Sequence, residues 1–319
     1  MRLLSLKRRL LVVSLALLLL LLLLVPGAAA GKATPSHGTF AGKISIGGGR
    51  ELYLKCRGTG SPTVLLEAGL RNTADVWSTP ADASDKRTMV YQGVSRFSRV
   101  CAYDRPGTTL PPNEFSRSTP VRQPRTTTDT ANDLHRLLVA GHLKGPFVLV
   151  GHSTGGLIIR RFAAAHPRDV AGMVEVDAIA EGIMPLLEPD WWPQYNAQAL
   201  VAPPPSLASY KDLETIDFTA SFAQMRQAER VSPLRHIPLV VLSHTQPFTL
   251  PDTLPPEFGP ILEQAWSTMQ DQLANVVPSA QHVIARHSGH YIQIDQPGLV
   301  RAAIKRVVKD VRAGRHTAV

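Results

Sequence analysis

One stretch constrains the fold more than any other: Phe147-Val148-Leu149-Val150-Gly151-His152-Ser153-Thr154-Gly155-Gly156. An apolar, β-favouring run enters a Gly-x-Ser-x-Gly turn, and a helix-compatible stretch, residues 157–165, leaves it. A backbone that reverses from strand to helix within a few residues forces sparsely populated dihedrals on the residue at the bend. Gly151 and Gly155 have no Cβ, so flanking backbone can crowd against them while Ser153 projects its hydroxyl outward. The helix N-terminus beneath presents a positive dipole end and free N–H groups, which favour an anion there. The pattern argues for a nucleophilic serine. Its alternative is a glycine-rich turn whose serine only caps the helix.

Around this segment, strand-like runs alternate with helix-like ones. Residues 45–46 and 51–56 read as a hairpin across Gly47-Gly48-Gly49, and residues 63–67, 99–103, 172–177, 238–242 and 281–285 read as further strands. Residues 126–140 form an amphipathic helix with Ala131, Leu134 and Leu138 on one face. A terminal helix carries Val300, Ile304, Val307, Val308 and Val311 at helical spacing, and leaves Arg301, Lys305, Lys309 and Arg312 as a solvated face. This alternation predicts an α/β fold with a mostly parallel central sheet flanked by helices. The rhythm lapses over residues 178–236, which read as an inserted helical lid. Trp191, Trp192 and Tyr195 there either line a pocket or pack the insert onto the core. Residues 245–273, rich in proline and aromatics, read as a second insert over the same site.

With 319 residues, 44% of them hydrophobic, the chain can bury one large core, placed at residues 42–314. Arg2, Lys7, Arg8 and Arg9 precede an almost unbroken apolar run over residues 10–25 and the cleavage-like Ala28-Ala29-Ala30. Residues 1–30 therefore read as a signal peptide and residues 31–41 as a linker, with an uncleaved membrane anchor as the alternative. Export to the cell envelope or the medium is expected, with no stable membrane span once the leader is removed. The formal charge of +9 falls to about +5 without those four leader cations, and no dense basic run argues for nucleic acid. Eleven histidines show no His-x-x-His, His-Glu-x-x-His or paired-cysteine spacing, so neither a metal nor a cofactor is expected. The two cysteines, Cys56 and Cys101, suggest one disulfide in an exported protein, two buried thiols being the alternative.

From about residue 42 to residue 312 the chain resembles the α/β-hydrolase fold superfamily, close to secreted bacterial esterase-like members of the AB hydrolase-1 type. The resemblance rests on four features in order: Glu67-Ala68-Gly69-Leu70 after one strand, Cys101-Ala102-Tyr103-Asp104-Arg105-Pro106-Gly107 after the next, the bend at Ser153, and Ser288-Gly289-His290 after the last strand. It implies a nucleophile, an acid and a histidine in that chain order. Ser153 would be the nucleophile and His290 its base, with His287 as rival and His282 and His152 as lesser ones; His152 is set aside because side chains flanking the bend point apart. The acid usually follows the penultimate strand, but Ser243-His244-Thr245-Gln246-Pro247-Phe248 holds no carboxylate. Asp177, after the strand that follows the Ser153 helix, takes that role in this reading, with Asp252 second and a structural cap as the alternative for Asp177. Glu257 also lies in the later insert.

The backbone N–H groups of Leu70 and Thr154 would form the oxyanion hole. Arg71 and Asn72 lie near it and either touch substrate or face solvent. Asp104, Arg105 and Gly107 read as a structural turn. The resemblance also sets the second and fourth strands side by side, which would pair Cys56 with Cys101. The function implied is an exported, cofactor-independent serine hydrolase acting on a small ester-like substrate through an acyl-enzyme. Peptidase, thioesterase or acyltransferase chemistry shares the same triad. A non-catalytic ligand-binding member is the rival from another class. Nothing in the chain speaks to its oligomeric state.

Overall fold

The computed structural model describes Pro35 and residues 38–110, 114–234, 237–278 and 280–314. The expected signal peptide and much of the expected linker lie outside the described residues. Within the stretch read as linker, the carbonyls of Pro35 and Gly38 accept hydrogen bonds from Arg99. The first strand begins at Phe40, which pairs with Cys56, so the domain starts two residues before the boundary at 42. No helix among the described residues is long and apolar enough to cross a membrane.

Eight strands form the main sheet: β1 (Phe40–Gly47), β2 (Arg50–Arg57), β3 (Val64–Glu67), β4 (Val100–Tyr103), β5 (Phe147–His152), β6 (Val170–Val176), β7 (Leu239–Ser243) and β8 (Gln281–Ile284). Their order is β1-β2-β4-β3-β5-β6-β7-β8. The β1–β2 and β2–β4 pairs are antiparallel; every contact from β4 to β8 is parallel. The opening hairpin is longer than residues 45–46 and 51–56 alone suggested, because cross-strand pairing carries it back to Phe40 and forward to Arg57. Parallel neighbours need crossovers, and helices supply them: α1 (Val90–Val94), α2 (Thr127–Ala140), α3 (Thr154–Ala165), α4 (Ile183–Leu187), α5 (Trp192–Tyr195), α6 (Phe218–Val231), α7 (Phe258–Leu273), α8 (Ile292–Asp295) and α9 (Pro297–Arg312).

The two-residue period of the strands assigns side chains to two cores. Val64, Leu66, Val100, Ala102, Val148, Val150, Val174, Val176, Val240 and Leu242 face α1 and α9. Their neighbours Leu65, Cys101, Leu149, Met173 and Val241 point to the other face, toward α2 and α3. Apolar residues on both faces account for strands that read as unbroken hydrophobic runs. Helix α2 starts where the sequence predicts, because Thr126 accepts from the Asp129 N–H and Asp129 returns a bond to the Thr126 N–H. On the face of α9 expected to be solvated, Arg301 is half-buried against Gly93 of α1, and the exposed Arg312 donates to the carbonyls of Ser61 and Phe97, tying the helix end to the β3 side.

Cys56 lies directly opposite Cys101 in the β2–β4 pair, and a disulfide joins them. It closes a loop with a sequence separation of 45, for which chain entropy gives a stabilisation of about 4 kcal/mol. Replacing both cysteines by alanine is expected to lower the unfolding free energy by about 2–4 kcal/mol, read from the urea midpoint at constant slope.

Helices α4, α5 and α6 lie between β6 and β7, in the segment read as an insert. Trp191 stacks on Phe258 at 5.1 Å, and Trp192 packs on Tyr195 and Phe222. Trp191 thus ties the segment to α7, Trp192 packs within the segment, and Tyr195 both packs on Phe258 and lines the same cavity as Ser153. The second stretch read as an insert is different in kind, because its latter part is α7, the crossover returning from β7 to β8.

Candidate active site

Strand β5 delivers Ser153 to the C-terminal edge of the sheet with φ 53° and ψ −123°, a left-handed conformation that L-residues avoid. The two flanking glycines are sterically required. A Cβ on Gly151 would lie 2.6 Å from the Gly155 carbonyl group, and one on Gly155 would lie 2.5 Å from the Glu67 carbonyl oxygen. Below Ser153, α3 begins at Thr154, so the first helical N–H groups face the serine. Among the described residues, no protein acceptor takes the N–H of Thr154 or of Leu70. Leu70, Ser153, Thr154 and His290 all line one cavity of about 500 Å³.

His290 lies in the loop between β8 and α8. Its Nδ1–H donates to Asp177 Oδ2 at 2.6 Å. An ionised carboxylate only accepts, so this bond places a proton on Nδ1 and, in the neutral ring, makes Nε2 the acceptor nitrogen. Asp177 follows β6 with φ 46° and is fully buried. Three further donors converge on it: the Trp266 indole N–H at 3.1 Å, the His244 backbone N–H at 3.2 Å, and the His244 ring Nδ1 at 2.7 Å. Burial alone would raise the Asp177 carboxyl, but the hydrogen bonds from His244 and His290 outweigh it and hold the group well below the usual carboxylate range. Asp177, His244 and His290 bring their ligand-type atoms within 4.8 Å of one another. The hydrogen bonds among them account for that arrangement without an ion.

The rival assignments fall elsewhere. Asp252 and Glu257 are exposed, as is His287. His282 is within hydrogen-bond distance of Ser243 Oγ at 2.7 Å. His152 does not follow its expected placement away from the site. Its Nε2–H donates to the His290 carbonyl at 2.9 Å, and its ring lies 4.6 Å from that of His290. Burial, reinforced by the neighbouring His290, pushes the His152 ring down to about 3, so it stays neutral and acts as a strut for the His290 backbone. The bend does splay its neighbours, but the His152 ring is long enough to pass under the loop that carries His290.

The loop holding the Leu70 N–H is fixed by a buried ion network. Arg105 donates to the carbonyls of Ala68 and Gly69 at 2.8 and 2.6 Å, and pairs with Glu67 and Glu214 at 2.6 and 2.5 Å. Glu214 comes from the segment between β6 and β7, and it also accepts the Arg71 backbone N–H at 2.5 Å. The Arg71 guanidinium returns to that segment and donates to the carbonyls of Leu200, Val201 and Ala202. Arg71 therefore neither faces solvent nor offers a free charge to substrate; it clasps the loop to the segment above it. Asp104 remains structural, accepting the Ala74 N–H and pairing with Arg117. No spacing in the sequence announces Glu214, since more than a hundred residues separate it from Arg105.

Two residues before Asp177, on the same face of β6, Glu175 is 1% exposed and neither carboxyl oxygen has a protein partner among the described residues. Burial raises its carboxyl to about 8, against the attraction of Arg160. A carboxyl raised in the folded state costs stability as pH climbs from the unfolded value, about 4.3, toward the folded one. Glu175→Gln is therefore expected to flatten the decline in urea midpoint between about pH 5 and pH 8, and to be more stable than wild type at pH 8 by about 2 kcal/mol or more.

Comparison with known proteins adds family and fold. The model of the family described as "Alpha/beta hydrolase family" matches residues 63–303. An "AB hydrolase superfamily protein" of Gibberella zeae is 24% identical over 82% of this chain and 92% of its own length. "Probable transporter efuK" of Hormonema carpetanum is 33% identical over 47% of this chain; the chain spans about a fifth of that relative, 21%. Among solved structures, a thermophilic esterase from Thermogutta terrifontis superposes with a TM-score of 0.51 at 21% identity, over 87% of this chain and 100% of that one.

Proposed function

The chain belongs to the alpha/beta hydrolase family, and from that premise we propose that it is an exported serine hydrolase cleaving a carboxylic ester through an acyl-enzyme. The observation that carries the reading is the alignment of Ser153, in its strained left-handed conformation, with a cavity that it shares with His290, whose Nδ1–H is held by Asp177 at 2.6 Å.

Ser153 Oγ attacks the ester carbonyl as His290 Nε2 takes its proton. The developing oxyanion is received by the N–H groups of Leu70 and Thr154, worth several kcal/mol in a site built before the reaction begins. Asp177 keeps His290 in the required tautomer and stabilises the imidazolium. His290 then protonates the leaving alcohol. Water, activated by the same imidazole, releases the acid and regenerates Ser153.

The cavity supports a neutral, largely apolar substrate. Ile179, Leu200, Leu207, Phe248 and Trp266 contribute apolar surface, and no carboxylate lines it among the described residues. Its one arginine, Arg71, already serves backbone carbonyls. The Cys56–Cys101 disulfide supports an oxidising compartment and therefore export. The non-catalytic alternative drew on the missing acid after β7; the Asp177–His290 bond supports the catalytic reading instead.

A fluorophosphonate probe tests the reading. A single covalent adduct on Ser153 in the folded protein is expected, with hydrolysis across a panel of p-nitrophenyl esters. A folded protein that gains no adduct at Ser153 overturns it.

A further inference from the structure

The position after β7 that holds no carboxylate holds His244 instead, and its side chain is 3% exposed. Its Nδ1–H reaches Asp177 Oδ2, the oxygen that also receives His290 Nδ1–H. Its Nε2 lies 3.0 Å from Glu263 Oε2 on α7. The other Glu263 oxygen accepts the Phe248 backbone N–H at 2.7 Å. Each ring nitrogen of His244 therefore faces a carboxylate, and a carboxylate needs a donor on each side. Only the imidazolium supplies both.

We propose that His244 is a positioning residue of the active site: a cationic bridge between Glu263 and Asp177 that fixes the acid carboxylate against which His290 is held. The role deepens the serine-hydrolase reading and rests on it. The relocated acid sits at the end of β6, and the place left empty after β7 is filled by a cation that anchors it from the other side. A fixed positive charge on His244 holds the Asp177 carboxylate in place, so the His290 Nδ1–H meets a fixed acceptor. The two attached carboxylates favour that charge: burial alone would lower the His244 ring, but Asp177 and then Glu263 outweigh it and raise it.

The charged and titratable groups around the pair are few. Asp177 approaches from the end of β6, Glu263 from α7 and His290 from the loop after β8; Tyr195 on α5 is a buried phenol that feels Asp177 and Glu263, its hydroxyl pushed up by burial. His152 from β5 adds a ring kept neutral beside His290. Phe248 and Trp266 close the remaining sides with aromatic rings.

The test compares wild type, His244→Gln and His244→Phe. It reads the pH profiles of kcat and KM on p-nitrophenyl butyrate and fluorophosphonate labelling of Ser153. His244→Gln keeps a neutral donor toward Asp177, and its plateau is expected to fall a few-fold, in kcat with KM little changed. His244→Phe removes the donor as well and is expected to lower the plateau by about tenfold or more. Ring-nitrogen NMR of wild type gives a reading independent of the variants' folding: both His244 nitrogens are expected to carry protons at neutral pH. Superimposable profiles in labelled enzymes, or a neutral His244 ring at neutral pH, overturn the role of His244 while Ser153 labelling leaves the hydrolase reading standing. Absence of labelling in wild type overturns both.

Discussion

Ser153→Ala is expected to lower ester turnover by about ten-thousand-fold or more and to abolish fluorophosphonate labelling, with KM little changed. The other hydroxyls lining the cavity belong to Thr109, Thr154, Tyr195, Thr249 and Tyr291, and none of them sits at the strained strand-to-helix bend. Thr154 lies inside the first turn of α3 and is buried, and the Thr109 hydroxyl donates to the Arg71 carbonyl. Residual turnover would come from the N–H groups of Leu70 and Thr154 acting on water. Stability separates this loss from unfolding: alanine at φ 53° carries the same backbone strain as serine, so the melting temperature is expected to stay within a few degrees. Ser153→Gly removes the hydroxyl and the strain together, and is expected to be equally inactive but more stable by about 1 kcal/mol. Turnover of Ser153→Ala within tenfold of wild type would place the nucleophile elsewhere.

Asp177→Asn is expected to cost about ten-thousand-fold in kcat. The amide no longer forces the proton of His290 onto Nδ1, so the tautomer with a free Nε2 loses its advantage. Asp252→Asn, altering an exposed carboxylate, is expected to stay within about twofold of wild type. Near-normal turnover of Asp177→Asn would remove this acid from the mechanism. The same substitution changes stability in a predictable direction. A carboxyl held below its unfolded value stabilises the fold fully above about pH 4, and that stabilisation is lost as pH falls through the folded value. Asp177→Asn lacks this contribution and leaves the His244 and His290 donors facing an uncharged group, so its deficit against wild type is expected to be large at pH 7 and to shrink below pH 4. Chemical denaturation across that range reads it.

What was legible in advance has a common character: it is local in the chain. The bend at Ser153 declares itself because strand, paired glycines and helix are consecutive. The strand before it reads as an unbroken apolar run before any fold is drawn. Asp177 is conspicuous as a carboxylate ending an apolar strand. Residues acting across distance were not legible. Glu214 lies in a segment without strand rhythm, and only folding sets it against Arg105 and the Arg71 N–H. His152 looked idle because its contact is with a backbone carbonyl 138 positions away.

The order of residues alone determined a mostly parallel sheet covered on both faces, a serine at a strand-to-helix bend, and two cysteines on strand-like runs, since periodicity, turn chemistry and apolar runs act between near neighbours. The tertiary structure alone decided that His244, in a stretch notable for lacking a carboxylate, turns its ring onto Asp177, and that Arg71 serves carbonyls instead of solvent. Such contacts depend on how strands of separate origin are set edge to edge, and a hydrogen bond depends on tenths of an ångström that no local pattern encodes.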